Sequence, residues 1–369
     1  MHATTDAIGS IGSRALQQIG RVRPGALHRD LAAEIGMTPD AFSRALNGKR
    51  SFSSLELASL ADALHADVHW LITGEPDPYR VVIAARHGFD HATGRRDVPG
   101  RDGDEQALRD VTLAYRQGDP RPRPAAALPD SAEAARATLG DDFIRPFADR
   151  LEERLEVDVV RIADLSTAYS LRLGGRRVIV LPATGNWFWE NWSLAHELAH
   201  LALGHHDLGL AEADDDPREA AANAFAAELL LPRDALAVVD WDGLDAAGLA
   251  ALVWRWGVST DALARRLNAL TGYLPDLVRA WAAQPTQRLL RRHWAIDTGI
   301  DEITARMDAA AARRFPRALQ EQHLERIALG ALGKGTLAWM LGIHPEALDV
   351  DVPPATEVPT DELVDALGL

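Results

Sequence analysis

The chain has 369 residues, 47% of them hydrophobic, which is enough for two or three domains with substantial cores. It contains no cysteine, which excludes disulfides, thiolate zinc sites and cysteine nucleophiles and predicts a reducing, cytoplasmic location. The formal net charge is −15, and no apolar run reaches membrane-spanning length. A membrane protein and a chain that is basic throughout are therefore excluded.

Residues 1–77 are predicted to form a first domain of five short helices. Residues 1–75 carry seven basic and eight acidic side chains, so their charge is nearly balanced and the excess of acid lies downstream. Only this first part of the chain is therefore expected to approach phosphate groups without strong repulsion. Helices are predicted over 10–22, 27–35, 39–46, 55–64 and 68–72. Thr38 is an expected N-cap, because Pro39 follows it at the favoured first helical position, and Ser54 is expected to cap the fourth helix.

Residues 78–140 have the composition of a linker. The segment is rich in proline, glycine and charge, except at 104–117, where apolar residues have helical spacing. That stretch is predicted to be a helix that docks on another part of the chain.

Residues 141–240 are predicted to form a compact domain, and residues 241–369 a helical C-terminal region. Helical spacing over 143–155 precedes three strand-like runs at 157–162, 169–173 and 177–181, with a hairpin turn at Gly174 and Gly175. Stretches 249–270 and 337–348 imitate a helix-turn-helix but are interpreted as core helix pairs. The expected fold class is mainly α with a small β-sheet, or α+β.

The most informative motif is H-E-x-x-H, formed by His196, Glu197 and His200. No glycine or proline interrupts 191–203, which predicts a helix, and residues four apart share one helix face. Two histidines so placed can hold one metal ion, with the glutamate on the same side toward water. This arrangement is typical of zinc-assisted peptide hydrolysis.

A catalytic zinc site needs a third protein ligand, because the fourth position is left for water. Glu219 fits best, since it opens a second strong helix 19 residues after His200. Asn223, one turn further, is expected to hydrogen-bond a ligand histidine and so to fix its ring. Glu228 is the second choice, although a salt bridge is the more ordinary role for it. The other candidate ligands lie between His200 and Glu219 in the sequence and are His205, His206, Glu212, Asp214, Asp215 and Asp216.

Peptide hydrolysis also needs a donor for the developing oxyanion. His205, His206 and Tyr169 are the candidates, and the sequence does not choose among them. The strand RRVIVLP at 176–182 is expected to offer its edge to an extended substrate.

The segment AHELAHLALGHH, followed by E-x-x-x-N-x-F-A-A-E-L-L-L-P from Glu219, resembles the ImmA/IrrE metallopeptidases from about Val157 to Leu270. The resemblance implies that His196, His200 and Glu219 bind zinc, with Glu197 as the general base. It also implies a helix-turn-helix repressor as substrate and a role in stress response. Where the family often has arginine and phenylalanine before the first histidine, this chain has FWENWSLA.

Residues 8–75 resemble the XRE or lambda-repressor type of helix-turn-helix, through LAAEIGMTPDAFSRALNGKRSFS and LASLADALHADVHWLITGE. The resemblance implies that the third helix enters the major groove of double-stranded DNA, with Thr38 at its start. Asp40, Ser43 and Arg44 would then face base edges. The residues expected at phosphates are His28, Asn47, Lys49 and Arg50. Because cations are few, a homodimer on two half-sites is expected.

Three functions follow. The first is a DNA-tethered zinc peptidase, active or latent, that cleaves a repressor or a similar regulatory protein at few sites. The alternative is a transcriptional regulator whose peptidase-like part is a non-catalytic sensor or dimerisation module. A component of a toxin–antitoxin or phage-defence pair is the third. The intact motif with Glu219 favours the first, because a sensor has no use for Glu197.

Overall fold

A computed structural model describes residues 2–64, 66–75, 81–85, 88–90, 95–97, 101–118, 126–163, 165–206, 215–294 and 301–350. The chain divides into two compact units, Met1–Arg80 and Val81–Leu369. None of the described helices combines the length and hydrophobicity needed to span a bilayer.

The first unit is a cluster of five helices, as predicted. The helices are α1 (His2–Val22), α2 (His28–Glu34), α3 (Pro39–Leu46), α4 (Ser54–Ala63) and α5 (Val68–Thr73). Phe42, Leu60 and Leu71 are fully buried among them. The predicted cap of α4 was one residue late: Ser53 accepts from the Glu56 amide at 3.3 Å, and Glu56 accepts from the Ser53 amide at 2.8 Å. This reciprocal capping box satisfies two amides at the start of the helix.

Helices α2 and α3 are joined by a tight turn. Gly36 has a φ of 73°, in the left-handed region that glycine adopts without strain. Thr38 accepts a hydrogen bond from the Ala41 amide, so the predicted N-cap of α3 is confirmed. Residues 35–38 are therefore a short turn between two consecutive helices.

The second unit contains a four-stranded sheet in the order β1-β5-β6-β4. Its strands are β1 (Val81–Ala85), β4 (Val157–Ile162), β5 (Tyr169–Leu173) and β6 (Arg176–Pro182), while β2 (Gly88–Asp90) and β3 (Arg95–Asp97) pair separately. Strand β6 pairs antiparallel with β5 and parallel with β4. Gly174 and Gly175 both have positive φ between paired Leu173 and Arg176, which confirms the predicted hairpin turn.

Helices make up most of the rest of this unit. They are α6 (Arg101–Gly118), α7 (Ala132–Leu139), α8 (Phe147–Leu155), α9 (Trp187–Ala202), α10 (Asp215–Leu230), α11 (Arg233–Ala237), α12 (Ala246–Trp256), α13 (Thr260–Thr271), α14 (Asp276–Ala282), α15 (Thr286–His293), α16 (Glu302–Ala311), α17 (Arg317–Ala328) and α18 (Gly335–Leu341), with a 3₁₀ turn at Pro345–Ala347. The mainly helical α+β class agrees with the prediction.

The sheet separates two hydrophobic cores. Side chains alternate along a strand, so Val159 and Ile179 join the core that contains α7–α10 and α12–α16. Val160 and Val180 join the opposite core, which is closed by α6, α17 and α18. The two faces of one small sheet are therefore covered by different helical layers.

Two predicted boundaries differ from the structure. The predicted linker 78–140 contributes strand β1 to the sheet, and helices α6 and α7 to the two cores. Helix α6 is the docking helix expected at 104–117, whereas β1 and α7 were missed because proline-rich and charged residues flank them. Within the predicted C-terminal region 241–369, helices α12 to α16 pack into the same core as α8 to α10 and not into a core of their own. The two helix-turn-helix-like stretches supply core side chains, as interpreted.

Where α6 meets α17, the core holds a histidine. His323 is fully buried and donates from Nε2 to the carbonyl of Ala114 at 2.8 Å. Burial lowers the pKa of His323, and the charge of Arg326 acts in the same direction. The folded state therefore keeps this ring neutral at a pH where the unfolded chain binds a proton.

Stability should consequently fall as the pH drops below about 6.5, by at most about 1.4 kcal/mol per pH unit for this one proton. His323→Gln, whose side-chain amide can also donate to Ala114, should lose that part of the pH dependence. Urea unfolding of both proteins at pH 7.0 and 5.5 measures the difference. Equal pH dependence in the two would contradict the assignment.

Candidate metal centre

Helix α9 carries the H-E-x-x-H motif through the middle of the second unit. Asn186 caps its start by accepting from the Trp189 amide, and the helix runs unbroken to Ala202. His196, Glu197 and His200 are 0–3% exposed. The motif therefore lies on a regular buried helix, as the sequence predicted.

The structure brings the three predicted ligands together. The Nε2 atoms of His196 and His200 are 3.1 Å apart. The carboxylate of Glu219, from α10, lies 3.3 Å from the first nitrogen and 3.2 Å from the second. Among the described residues, these three form the group whose ligand atoms converge within 4.8 Å.

This donor set fits zinc. Zinc–nitrogen and zinc–oxygen bonds of 2.0–2.1 Å in a tetrahedron place neighbouring ligand atoms roughly 3.3 Å apart. The two nitrogens are 3.1 Å apart, close to that edge length, and each has a different Glu219 oxygen within 3.3 Å, Oε2 for His196 and Oε1 for His200. Two imidazoles and one carboxylate also leave the fourth tetrahedral position for water, as catalytic sites require.

Glu219 is ionised in this setting. Burial opposes its ionisation, but hydrogen bonds from His196 and His200 outweigh burial and hold the pKa of Glu219 well below its usual range. The site thus presents a negative carboxylate beside two imidazole nitrogens before any metal binds.

Glu197 points to the sheet beneath the helix. Its Oε2 accepts a hydrogen bond of 2.7 Å from the hydroxyl of Ser170 on β5, and both residues are fully buried. Sequence reasoning missed Ser170, since a single serine in an apolar strand carries no signal of its own. The contact fixes the orientation of the carboxylate.

Tyr169 does not lie at the metal centre. Adjacent residues of a strand point to opposite faces of its sheet, so Ser170 faces α9 while Tyr169 lies in the opposite core. The Tyr169 hydroxyl donates to the buried carboxylate of Asp104 on α6 at 2.6 Å. The prediction of Tyr169 as an oxyanion donor was therefore wrong, and Asp104 is its unforeseen partner.

His206 is also committed elsewhere. Its Nε2 lies 3.1 Å from the carbonyl of Ser170, and burial lowers the pKa of His206 to about 4. A neutral imidazole has one N–H, which this carbonyl occupies. His206 therefore has no further N–H to offer an oxyanion at neutral pH.

His205 is left with an N–H to offer. Its Nδ1 lies 2.8 Å from Nδ1 of His200, and burial followed by the charge of His200 lowers the pKa of His205 to about 4. If His200 uses Nε2 as a metal ligand, its Nδ1 carries the proton and donates to His205. The N–H of His205 is then on Nε2. This pair fixes the His200 ring, the role the sequence assigned to Asn223.

Asn223 and Glu228 of α10 have other surroundings. Asn223 is exposed and lines a cavity of about 670 Å³ with Trp189 and Trp192, and no hydrogen bond joins it to either ligand histidine in the described part of the chain. Glu228 forms an ion pair with Arg266, which supports the ordinary reading of that residue. Glu212 and Asp214 lie outside the described residues, as do the side chains of Asp215 and Asp216.

The predicted substrate edge on β6 is absent. Strand β6 lies inside the sheet, with β5 on one side and β4 on the other, so its backbone groups are already paired. The prediction failed because alternating apolar residues identify a strand without giving its place in the sheet.

A family model for the IrrE N-terminal-like domain matches residues 152–268. The match covers the end of α8, the strands β4 to β6, and helices α9 to α12 with most of α13, and it includes all three predicted ligands. No curated protein and no solved structure shows a significant match to the chain.

Proposed function

We propose that this chain is a zinc-dependent regulatory peptidase that cleaves a repressor or a similar regulatory protein at few sites. The observation that carries the proposal is the convergence of His196, His200 and Glu219 beside the carboxylate of Glu197. The match to the IrrE N-terminal-like domain supports a metallopeptidase of this type.

Zinc held by the three ligands would act as a Lewis acid toward water and toward a peptide carbonyl. Glu197 then accepts the proton of the attacking water and passes it to the leaving nitrogen as the peptide bond breaks. Ser170 holds Oε2 of that carboxylate at 2.7 Å, so the base is oriented before substrate arrives. His205 contacts the nitrogen of His200 that faces away from the metal, so it orients this ligand and is not assigned as the oxyanion donor.

Glu197→Gln removes the base and leaves the proposed ligands in place. Cleavage should fall about 10²- to 10⁴-fold, the usual contribution of a general base. The experiment compares wild type and Glu197→Gln in the native host under stress, and searches the proteome for a protein clipped only in wild type. Zinc content of the two purified proteins should be equal.

The control is Glu133→Gln, an exposed glutamate on α7 that should leave clipping unchanged. Identical proteomes of wild type and Glu197→Gln would contradict the peptidase. If transcription then still depended on Arg44, the chain would be a regulator with a non-catalytic module.

We also propose that the first unit binds double-stranded DNA through α3. Asp40, Ser43, Arg44 and Asn47 are exposed at helical spacing, so they share one outward face. The amide of Asn47 donates to the Ser43 carbonyl at 2.8 Å. A recognition helix needs such an exposed polar face to meet base edges.

The cations near α3 differ in availability. Arg50 forms an ion pair of 2.8 Å with Glu56, whereas Arg44 and Lys49 are exposed and have no ion pair within the described residues. Arg44 and Lys49 are therefore the residues we expect to contribute most, Arg44 at a base and Lys49 at a phosphate. His28 and Thr38 are exposed beside them.

Arg44→Ala should weaken binding of the full chain to its operator by about 1–3 kcal/mol and relax the sequence preference. Lys49→Ala should weaken all sequences alike and lower the salt slope by about one. Fluorescence anisotropy with DNA from upstream of the coding region, at several salt concentrations, measures both. Arg29→Ala, on the surface of α2 beside Asp30, is the matched control. Salt-independent binding, or equal effects of all three variants, would contradict the interface.

A further inference from the structure

A second cavity lies at the start of α9, about two helical turns before Glu197, and is lined by four arginines. It has a volume of about 470 Å³, within the usual range for small-molecule sites, between the start of α8 and helices α9, α12 and α16. Its apolar wall is formed mainly by Phe147, Trp187 and Trp254. None of the proposed zinc ligands lines it.

Two of the four arginines are neutralised. Arg161 forms a buried, two-pronged pair with Glu190. Arg314 pairs with Asp149 at 2.7 Å and also with Glu152. These ion pairs tie the sheet to the surrounding helices, and neither arginine has a positive charge left without a counter-ion.

The other two arginines, Arg145 and Arg306, have no acidic partner among the described residues. The guanidinium of Arg306 stacks 3.9 Å from the ring centre of Trp187, and its Nη1 is buried without a hydrogen-bond partner in the described structure. The Arg145 guanidinium lies 5.5 Å from the ring centre of Trp254. Burial, and then the charge of Arg145, lower the pKa of Arg306 to about 9.

Further donors in the lining are unsatisfied. The indole N–H groups of Trp187 and Trp254 have no partner in the described part of the chain, although these side chains are only 2% and 4% exposed. No side chain caps the start of α8, whose first residues line the cavity. Buried donors and an unpaired cation are costly unless an acceptor meets them.

We infer that this cavity binds a small organic anion with an apolar body. Arg145 and Arg306 would meet the anionic group. The ring of Trp187 is already covered by Arg306 and Phe188, so the apolar body would pack against Phe147. The remaining acid of the lining, Glu302, is one turn before Arg306 on α16 but forms no ion pair with it in the described structure. Glu302 would repel the ligand's charge, so removing its charge should tighten binding.

Calorimetric titration of the full chain with benzoate and with AMP, beside uncharged benzamide and adenosine, tests the site. At least one anion should bind tenfold or more tightly than its uncharged counterpart. Preference for benzoate over benzamide would identify a carboxylate ligand, and preference for AMP over adenosine a phosphate ligand. Arg145→Gln and Arg306→Gln should weaken that anion about tenfold or more, and Glu302→Gln should strengthen it severalfold.

Arg317→Gln, which alters a 91% exposed arginine on α17, is the charge-matched control and should have no effect. Arg145 is exposed, so its variant tests the site even if Arg306→Gln fails to fold. Absence of binding by both anions at millimolar concentration would overturn the inference, and so would an unchanged Kd in Arg145→Gln. Peptidase activity is not measured, so the result is independent of the function proposed above.

Discussion

Replacing Glu219 with glutamine is expected to weaken zinc binding by roughly 100-fold. Structural sites with four ligands bind zinc with about 10–16 kcal/mol, so one ligand contributes about 3 kcal/mol. The carboxylate of Glu219 lies within 3.3 Å of both histidine nitrogens, and no other described acid is placed to replace it. A chelator competition assay measures the affinity, and elemental analysis measures the zinc content of the purified protein.

The matched control is Glu228→Gln on the same helix. Glu228 pairs with Arg266 and lies outside the cluster, so zinc affinity should be unchanged. Zinc should also raise the melting temperature of wild type far more than that of Glu219→Gln, because a ligand stabilises only the state that binds it. Equal zinc affinity in wild type and Glu219→Gln would exclude this residue as a ligand.

Breaking the buried pair of Arg161 and Glu190 should destabilise the second unit by about 3–5 kcal/mol. Glu190→Gln keeps the shape but leaves the arginine charge without a counter-ion, although both side chains are only 9–11% exposed. Arg161 also donates to the carbonyls of Ala309 and Ala312, so β4, α9 and α16 are held by one guanidinium. Urea unfolding measures the loss.

A surface pair provides the comparison. Arg317 and Glu321 on α17 are 91% and 54% exposed, so Glu321→Gln should cost less than about 1 kcal/mol. Replacing Arg161 and Glu190 together by methionine should cost less than Glu190→Gln alone, since no unpaired charge remains buried. If Glu190→Gln and Glu321→Gln lower the free energy of unfolding by similar amounts, the buried pair stabilises the protein no more than the surface pair does.

The helices and strands nearest the metal centre could be predicted because their patterns are local. The four-residue spacing of His196 and His200, the caps and the Gly174–Gly175 turn depend only on residues close in sequence. Glu219 was accessible as the acid that opens the next strong helix. Its position beside the two histidines depends on how α10 packs against α9, which only the structure shows.

The errors concern contacts between distant segments. Tyr169 and Ser170 are neighbours in one strand, and only the sheet topology decides which of them faces α9. The apolar run Val81–Ala85 is a strand because it pairs with β5. Neither its length nor its proline-rich flank indicates that pairing. The pairing of His200 with His205 likewise depends on how the turn after α9 folds back.

The helices α6, α17 and α18, which cover one face of the sheet, affect the order in which the chain can fold during synthesis. Helix α6 meets α17 through Ala114 and His323, which are 209 residues apart, and Gln117 hydrogen-bonds Thr336 at 2.6 Å across 219 residues. Contacts in the first unit are local by comparison, so it can fold while the ribosome is still translating the remainder. The sheet that orients Glu197 is covered on both faces only after α17 and α18 emerge. We therefore expect the candidate metal centre to be completed last, after the first unit is already folded.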